Sequence, residues 1–238
     1  RVSGLTAAQH YAPTDWSRDN LLREGKDPST VFVTGNTGID AVLRTAELGE
    51  QKWFPEWPGR VILMTTHRRE NWGEPQKNIA EAALALVEKY PDTLLVASLH
   101  PNPIVRDTLL PILSGYDRIK LIEPPDYEEF VKLMQRATII LSDSGGVQEE
   151  APAFGIPVLV LRTTTERPEG VTAGTAKLVG TDREVIIEEG SKLLGDPEAF
   201  KAMANAVSPY GDGKASARIR YAALKLLGID SPVEKMWI

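Results

Sequence analysis

The sequence contains no cysteine. Disulfide frameworks, thiol nucleophiles and cysteine-based zinc sites are therefore excluded. A basic surplus is lacking as well, because 27 Lys and Arg residues stand against 33 Asp and Glu residues, a formal net charge of −6. Proteins that bind nucleic acid through its phosphates usually carry such a surplus. We therefore expect no nucleic-acid partner, although a few local cations would suffice for an anionic small molecule.

Long hydrophobic runs are also absent. No apolar run approaches the length of a membrane-spanning helix, so we expect no membrane partner, and the first residues show no signal-peptide pattern. The composition is otherwise that of an ordinary globular protein, with 42% hydrophobic and 25% charged residues. A length of 238 residues allows one or two domains with a substantial core.

Short, continuous apolar runs alternate with segments of helical periodicity. Continuous runs are typical of strands covered on both faces, and they occur at 31–33, 61–64, 94–97, 119–122, 139–141 and 158–161. Apolar residues spaced as in amphipathic helices occur within 79–87, 130–137 and 219–227. Between about residues 60 and 161 we count five strands and four helices. This alternation predicts an α/β domain with a Rossmann-like, doubly wound parallel sheet.

Residues 1–40 fit this domain less well. They offer one helix, from Asp15 to about Glu24, and one strand that ends at 34–36. A connector that contains Pro and Trp follows at 51–59. We therefore expect the sheet domain to lie in the later part of the chain.

Cations are concentrated where the predicted strands end. Two of the three histidines and four arginines follow these strands: His67, His100, Arg68, Arg69, Arg162 and Arg167. Open parallel sheets bind ligands beyond the carboxyl ends of their strands. In a chain of net negative charge, this concentration of cations indicates an anionic ligand.

The most specific single feature is Ser144-Gly145-Gly146, which follows the strand predicted at 139–141. Glycines let backbone N–H groups approach an anion closely, and a helix N-terminus adds a favourable dipole. The turn therefore predicts a phosphate cradle, although it is neither a Walker loop nor a dinucleotide fingerprint. Because Pro152 would clash inside a regular helix, the helix after the turn must begin late or kink.

Each of these features also has a purely structural interpretation. A Ser-Gly-Gly segment after a strand can be only a tight turn, and Glu149 and Glu150 can compensate a helix dipole. His67 can be a hydrogen-bonded structural residue, and Phe130 can belong to the core. The residues themselves therefore predict an α/β domain that binds a phosphorylated small molecule, and they leave the reaction open.

Four longer motifs are more specific when taken together. They are Thr66-His67-Arg68-Arg69-Glu70-Asn71, the SDSGGVQEE segment within 141–152, Thr165-Glu166-Arg167-Pro168-Glu169-Gly170, and PYGDGKAS at 209–216. In this order they resemble the non-hydrolysing UDP-N-acetylglucosamine (UDP-GlcNAc) 2-epimerases, and residues 11–14 and 33–37 resemble that family as well. The resemblance runs the whole length of the chain.

The resemblance implies a GT-B-like fold, in which two Rossmann-like domains hold the substrate between them, and this chain would supply the C-terminal half. It implies interconversion of UDP-GlcNAc and UDP-N-acetylmannosamine (UDP-ManNAc). UDP is eliminated to leave a 2-acetamidoglucal and is then added back with the opposite configuration at C2. No metal or redox cofactor is implied. The resemblance further implies a cytoplasmic, homodimeric enzyme of cell-envelope polysaccharide synthesis.

The resemblance also assigns roles at the substrate. His67 would be the catalytic residue that contacts the diphosphate and stabilises the leaving UDP. Ser144, Gly145 and Gly146 would cradle the phosphates. Glu150 would accept hydrogen bonds from the ribose hydroxyls, and Arg167 would lie on the sugar–phosphate side.

Two further pairs of residues receive roles in the same way. Phe130 and the backbone near Pro125 would flank the uracil, and only a backbone contact carries over at Pro125 because the family usually has Gln there. Arg68 and His100 match residues that contact a second, activating UDP-GlcNAc in bacterial members of the family. The resemblance therefore implies an allosteric site as well as a substrate site.

Members of the family carry another Rossmann-like half ahead of the segment that matches Arg1. Residues 1–40 would then be the remnant of that domain and a hinge, and residues 41–238 the UDP-binding domain with a closing C-terminal helix. The family's proposed carboxylates for proton transfer at C2 lie in the preceding half. We therefore expect this chain alone to bind UDP and to turn over little. The alternatives are a non-catalytic UDP-sugar-binding module, a hydrolysing epimerase and a GT-B glycosyltransferase.

Overall fold

Residues 2–237 are described by the structure, a computed structural model. Within this range the strands are β1 (His10–Ala12), β2 (Val31–Val33), β3 (Arg60–Thr66), β4 (Thr93–Leu99), β5 (Ile119–Ile122), β6 (Ile139–Ser142), β7 (Val158–Val160) and β8 (Ala176–Leu178). The α-helices are α1 (Val2–Thr6), α2 (Asp15–Arg23), α3 (Thr37–Ala46), α4 (Glu74–Lys89), α5 (Pro103–Leu113), α6 (Tyr127–Arg136), α7 (Gly145–Glu150), α8 (Pro168–Ala173), α9 (Arg183–Gly195), α10 (Pro197–Ala204) and α11 (Ala215–Leu226). None of the helices in this range has the length and apolarity that crossing a membrane requires.

The chain divides into two units by its internal contacts. The larger unit runs from Thr45 to Ser208, and the smaller one combines the residues up to Arg44 with those from Pro209 onward. All of the predicted site residues belong to the larger unit. The interpretation of residues 1–40 as the end of a preceding Rossmann-like domain stays a prediction.

The smaller unit is organised by the contacts of Asp40 and of the buried Arg218. Its strands β1 and β2 pair in parallel. The carboxylate of Asp40 accepts hydrogen bonds from the backbone N–H groups of Ala215 (3.0 Å) and Ser216 (2.7 Å), and so caps the N-terminus of α11. Arg218, one turn further on, is buried and pairs with both carboxylate oxygens of Asp212 at 2.6 and 2.7 Å. The PYGDGKAS motif is therefore a structural loop of this unit.

The larger unit contains one six-stranded sheet in the order β5-β4-β3-β6-β7-β8, with every neighbouring pair parallel. This is the doubly wound order of a Rossmann-like domain, so the predicted fold class is confirmed. The five strands and four helices predicted between residues 60 and 161 are all present. The sequence analysis missed β8, because its three residues include Lys177 and form no apolar run.

The amphipathic helices cover the sheet as their spacing predicts. On α4, the residues Ile79, Ala82, Ala83, Leu86 and Val87 are almost completely buried in the main apolar core. Helix α9 packs closely on α4 at Gly190, where an added Cβ would lie 2.6 Å from Leu86 Cδ1. The continuous apolar strands and these helix faces thus form one core.

The helix after the Ser-Gly-Gly turn breaks as expected. Helix α7 ends at Glu150, and a 3-10 helix at Ala151–Phe154 accommodates Pro152 at its start. Gly155 terminates this segment in the left-handed conformation, with φ of 68°. The predicted kink is therefore confirmed.

Substitution of Gly59 by alanine tests the close packing where β3 begins. The new Cβ would lie 2.0 Å from the backbone oxygen of Asp92, which accepts the Arg60 N–H at 2.9 Å. Backbone has little freedom to move away, so we expect Gly59→Ala to lower the free energy of unfolding by about 2–3 kcal/mol, measured by urea denaturation.

Gly146→Ala is the matched control. Its added Cβ would meet only Ser144 Oγ, at 3.9 Å, so its free energy of unfolding should stay within about 0.5 kcal/mol of the unmodified chain. Equal stability of the two variants would contradict the packing argument.

Candidate functional site

The candidate site lies where the strand order reverses, between β3 and β6. From β3 the chain continues to β4 and β5 on one side of the sheet, and from β6 it continues to β7 and β8 on the other side. Crevices beyond the carboxyl ends of strands at such a switch point are the usual ligand sites of these sheets. His67 follows β3 directly, and Asp143 and Ser144 follow β6.

A buried carboxylate joins the two strand ends. Asp143 has no exposure to solvent. It accepts hydrogen bonds from Thr66 Oγ1 (3.0 Å), from the backbone N–H groups of His67 (3.0 and 3.1 Å) and Arg68 (2.9 Å), and from Asn71 Nδ2 (2.9 Å). Burial alone would raise the pKa of Asp143, but the hydrogen bonds from His67 and the Arg68 N–H lower that pKa below its ordinary value.

The same carboxylate orients the His67 ring. Nδ1 of His67 lies 3.0 Å from Asp143 Oδ1, while 40% of the His67 side chain remains exposed. The ring stacks on that of His100, with centroids 6.0 Å apart and planes 22° from parallel. His100 Nδ1 accepts the backbone N–H of Asn102 at 3.2 Å. Both rings are therefore held through Nδ1.

A cavity of about 190 Å³ opens beside the two rings. Its walls include His67, His100, Phe130 and Ser144, four residues that the sequence analysis singled out. Pro124 lines the cavity, whereas the adjacent Pro125 does not contribute to its walls. The structure therefore brings His67 and Ser144, two of the predicted phosphate contacts, to one cavity with Phe130, a predicted uracil contact.

The Ser-Gly-Gly turn begins α7 at this cavity. Ser144 is the N-cap residue, and its own N–H donates to Ser142 Oγ at 3.0 Å. Neither glycine has a positive φ, so the turn does not need them for a left-handed backbone. An added Cβ on Gly145 would lie 3.2 Å from Glu166 Oε1. The first N–H groups of α7, which have no acceptor within the helix, remain suited to an anion.

Three of the four rim arginines, Arg68, Arg162 and Arg167, are paired with carboxylates. Arg68 donates to Glu166 at 2.9 Å, and Arg162 bridges Glu166 (2.5 Å) and Glu70 (2.9 Å). Burial would raise the pKa of Glu166, but a hydrogen bond from its own backbone and the charges of Arg162 and Arg68 lower that pKa to about 2.

Glu149, Glu150 and Arg167 lie further along the same side. Arg167, the N-cap residue of α8, pairs with Glu149 through its Nε. Glu150 accepts a hydrogen bond from Tyr127 Oη at 3.4 Å. Burial raises the pKa of Glu150 to about 7, because the lowering by Tyr127 is outweighed by burial and by the neighbouring charge of Glu149. Burial, together with the nearby charge of Glu150, raises the pKa of Tyr127 to about 12.

Asp143 is the site residue whose role sequence reasoning missed. The sequence motifs contain both Asp143 and Asn71 but assign neither of them a role. The available signal was an acidic residue placed directly after a fully apolar central strand, a position where an unpaired charge is costly. The donors that satisfy it come from a segment more than seventy residues earlier, which spacing alone does not pair with it.

Replacing Asp143 by asparagine tests the importance of its carboxylate. The amide would turn an N–H₂ group towards surrounding donors, so we expect the free energy of unfolding at neutral pH to fall by about 2–4 kcal/mol. Because the folded pKa lies below the ordinary value of 3.8, the stabilisation is complete above that value and is lost as the pH falls through the folded pKa.

The difference in free energy of unfolding between the unmodified chain and Asp143→Asn should accordingly shrink in acid. It is measured by urea unfolding across a pH series. Asp117→Asn, at an exposed position, serves as the control and should change stability by less than about 0.5 kcal/mol. A pH-independent difference for Asp143→Asn would show that the carboxylate charge is not what stabilises the fold.

Comparisons with known proteins identify the family of this chain. The family model described as UDP-N-acetylglucosamine 2-epimerase matches residues 1–224. A curated relative of that name from Bacillus subtilis is 48% identical over 221 residues, which are 92% of this chain and 58% of the relative.

Two solved structures are similar as well. The UDP-GlcNAc 2-epimerase from Neisseria meningitidis bound to UDP-GlcNAc is 47% identical with a TM-score of 0.88, and the match covers 94% of this chain and 63% of that chain. The structure of S. aureus MnaA with UDP is 43% identical with a TM-score of 0.91, and the match covers 98% of this chain and 65% of that chain. The chain thus spans about three fifths of the length of these relatives, and it belongs to the UDP-N-acetylglucosamine 2-epimerase family.

Proposed function

We propose that this chain binds the UDP moiety of UDP-GlcNAc and is the nucleotide-binding part of a UDP-GlcNAc 2-epimerase that forms UDP-ManNAc. The observation that carries the proposal is the His67 ring, held by the buried Asp143 carboxylate beside the N-terminus of α7. An imidazole and a row of free helix N–H groups, side by side at a switch-point cavity, suit a diphosphate.

The diphosphate is proposed to lie between His67 and the first turn of α7. In the elimination, the C2–H bond breaks and its proton passes to a base, a C1–C2 double bond forms, and the C1–O bond breaks to release UDP. Negative charge develops on the departing diphosphate oxygen. Donors at that oxygen lower the barrier, and we assign this role to His67 and to the N–H groups of Gly145 and Gly146.

The nucleoside is proposed to occupy the other walls. Phe130 and the backbone at Pro124 and Pro125 would flank the uracil, and Glu150 would accept the ribose hydroxyls. Arg167 would serve the sugar–phosphate side by exchanging its carboxylate partner Glu149 for the ligand.

An activating second UDP-GlcNAc is proposed at Arg68 and His100. Nε of Arg68 is buried and has no hydrogen-bond partner among residues 2–237, which leaves a donor for such a ligand. His100 stacks on the His67 ring, so occupancy of this second site would be sensed directly at the first. With this function we also propose the cytoplasmic location and the homodimer that the resemblance implies.

Three carboxylates of the rim are engaged by cationic or imidazole partners, and a fourth, Glu150, is hydrogen-bonded to Tyr127 and is assigned to the ribose. Asp143 is bound to His67, Glu149 to Arg167, and Glu166 to two arginines. Removal of a C2 proton needs a carboxylate or similar base within hydrogen-bond reach of that proton. We therefore propose that the 238 residues alone bind UDP with little or no turnover.

Incubation of the purified chain with UDP-GlcNAc in D2O, followed by proton NMR at C2 of the sugar, tests this function. We expect UDP and UDP-GlcNAc to shift resonances of the protein, with little or no deuterium at C2. Substitution of His67 by asparagine should weaken UDP binding by about tenfold, which corresponds to one charge-assisted hydrogen bond. Asp117→Asn, on the exposed surface, is the control.

The other outcomes separate the alternatives. Deuterium at C2 with UDP-ManNAc would show that these residues contain a complete proton-transfer apparatus. Release of free ManNAc and UDP would favour a hydrolysing epimerase. A protein spectrum unchanged by UDP would refute the proposal.

Glu150→Gln tests the ribose contact. Because the pKa of Glu150 is about 7, its carboxyl is protonated below that pH and then offers a weaker acceptor. By calorimetry, we expect the unmodified chain and Glu150→Gln to bind UDP-GlcNAc with similar affinity at about pH 6. At about pH 8 we expect Glu150→Gln to bind about five- to tenfold more weakly. The ligand suits this test because its diphosphate is a diester that stays ionised throughout. A constant ratio would exclude Glu150 as the titrating contact.

A further inference from the structure

The proton between His67 and Asp143 has a defined position. Among the described residues, every other polar contact of this carboxylate is with a donor, namely Thr66 Oγ1, the N–H groups of His67 and Arg68, and Asn71 Nδ2. The depressed pKa of Asp143 agrees with an ionised, acceptor-only group. The proton shared at 3.0 Å with His67 Nδ1 therefore resides on the ring.

This places the His67 ring in the less common tautomer. A neutral imidazole carries one proton, so a proton on Nδ1 leaves Nε2 as a bare acceptor. His100 is the opposite case, because its Nδ1 accepts the Asn102 N–H and its neutral ring must carry the proton on Nε2. Two rings stacked 6.0 Å apart at one cavity thus present an acceptor and a donor.

The difference matters for an anionic ligand. A phosphate oxygen next to the bare Nε2 of His67 would face a lone pair, which is repulsive. Only the imidazolium, with both nitrogens protonated, can donate to Asp143 and to a phosphate oxygen at the same time. His100 can donate without any change of protonation.

We propose that Asp143 is a positioning residue that holds His67 in the Nδ1–H tautomer and thereby couples capture of the diphosphate to the uptake of one proton by His67. This inference rests on the proposed function for its ligand. The proton that is taken up lies at the leaving group, where it offsets the charge that develops on UDP as the C1–O bond breaks. Re-addition of UDP reverses the same step.

The other charged groups around His67 do not replace this proton. Arg68, next in the chain, is paired with Glu166, so its positive charge is balanced by that carboxylate. His100 adds no charge when neutral, and the remaining walls of the cavity are Thr65, Thr66, Ser98, Pro124, Phe130, Ser144 and Val147. Asp143 is the ionised group in direct contact with the ring.

The tautomer is measured by nitrogen-15 NMR of the ligand-free chain with labelled histidine. The chain has three histidines, and His67→Asn assigns the His67 signals. We expect the neutral His67 ring to carry its proton on Nδ1, and the His100 ring to carry it on Nε2. A neutral His67 ring protonated on Nε2 would overturn the inference, whatever the chain does to UDP-GlcNAc.

The proton uptake is measured by calorimetry of UDP-GlcNAc binding in buffers of different ionisation enthalpy. At about pH 8.5, with the free His67 ring shown to be neutral by NMR, we expect uptake approaching one proton per ligand bound. Glu150→Gln should leave this uptake unchanged, because Glu150 with its pKa of about 7 is already ionised there. Binding without proton uptake would overturn the inference.

Asp143→Asn separates positioning from a merely structural role. An asparagine can donate its amide N–H to Nδ1 and so move the ring proton to Nε2, after which the neutral ring can itself donate to the phosphate. We expect the folded variant to bind UDP-GlcNAc with proton uptake near zero, and its neutral ring to show the Nε2–H signature. Unchanged tautomer and uptake in this variant would count against the role of Asp143. If the variant does not fold, the tautomer and the proton uptake measured on the unmodified chain decide the inference. A complete lack of UDP-GlcNAc binding would refute the proposed function, and the tautomer of His67 would then still decide the inference about Asp143.

Discussion

The buried carboxylate of Asp143 is the interaction on which the candidate site depends. A carboxylate that is fully excluded from solvent is tolerated only where donors surround it, because an unpaired buried charge is very costly. The donors come from the end of β3 and the segment that follows it, and they include Thr66 and Asn71. That requirement ties the ends of β3 and β6 together at the point where the strand order reverses. The orientation of the His67 imidazole is a consequence of the same requirement.

Ion pairing explains how a negatively charged chain can carry several arginines at one edge of its sheet. Arg68 and Arg162 share Glu166, and Arg167 takes Glu149. Partly exposed pairs of this kind contribute little to stability. In the proposed complex, an anionic ligand takes an arginine of this rim from its carboxylate partner. In the same proposal, the protonated His67 ring and the start of α7 supply the directional part of recognition.

Three carboxyl groups of this rim differ in pKa because their surroundings differ. Asp143 is buried, but its donors lower its pKa below the ordinary value. Glu166 is lowered to about 2 despite some burial, since its own backbone and two guanidinium groups favour its charge. Glu150 is raised to about 7 because burial outweighs its single phenol donor. Groups of the same chemical type are thus separated into a structural anchor, an ion-pair partner and a group that titrates near neutral pH.

The sequence by itself determined the fold class of the larger unit and the positions that gather at its rim. Continuous apolar runs predicted β3 to β7, and the break at Pro152 followed from the clash that a proline ring makes inside a regular helix. These signals are local, which is why β8, with three residues and a lysine, escaped them. The motif resemblance identified the family. Only the tertiary structure decided that Asp143 holds His67 and that the rim arginines are already paired. Those relationships join residues far apart in the chain, and burial and hydrogen-bond geometry, which select them, exist only once the sheet has formed.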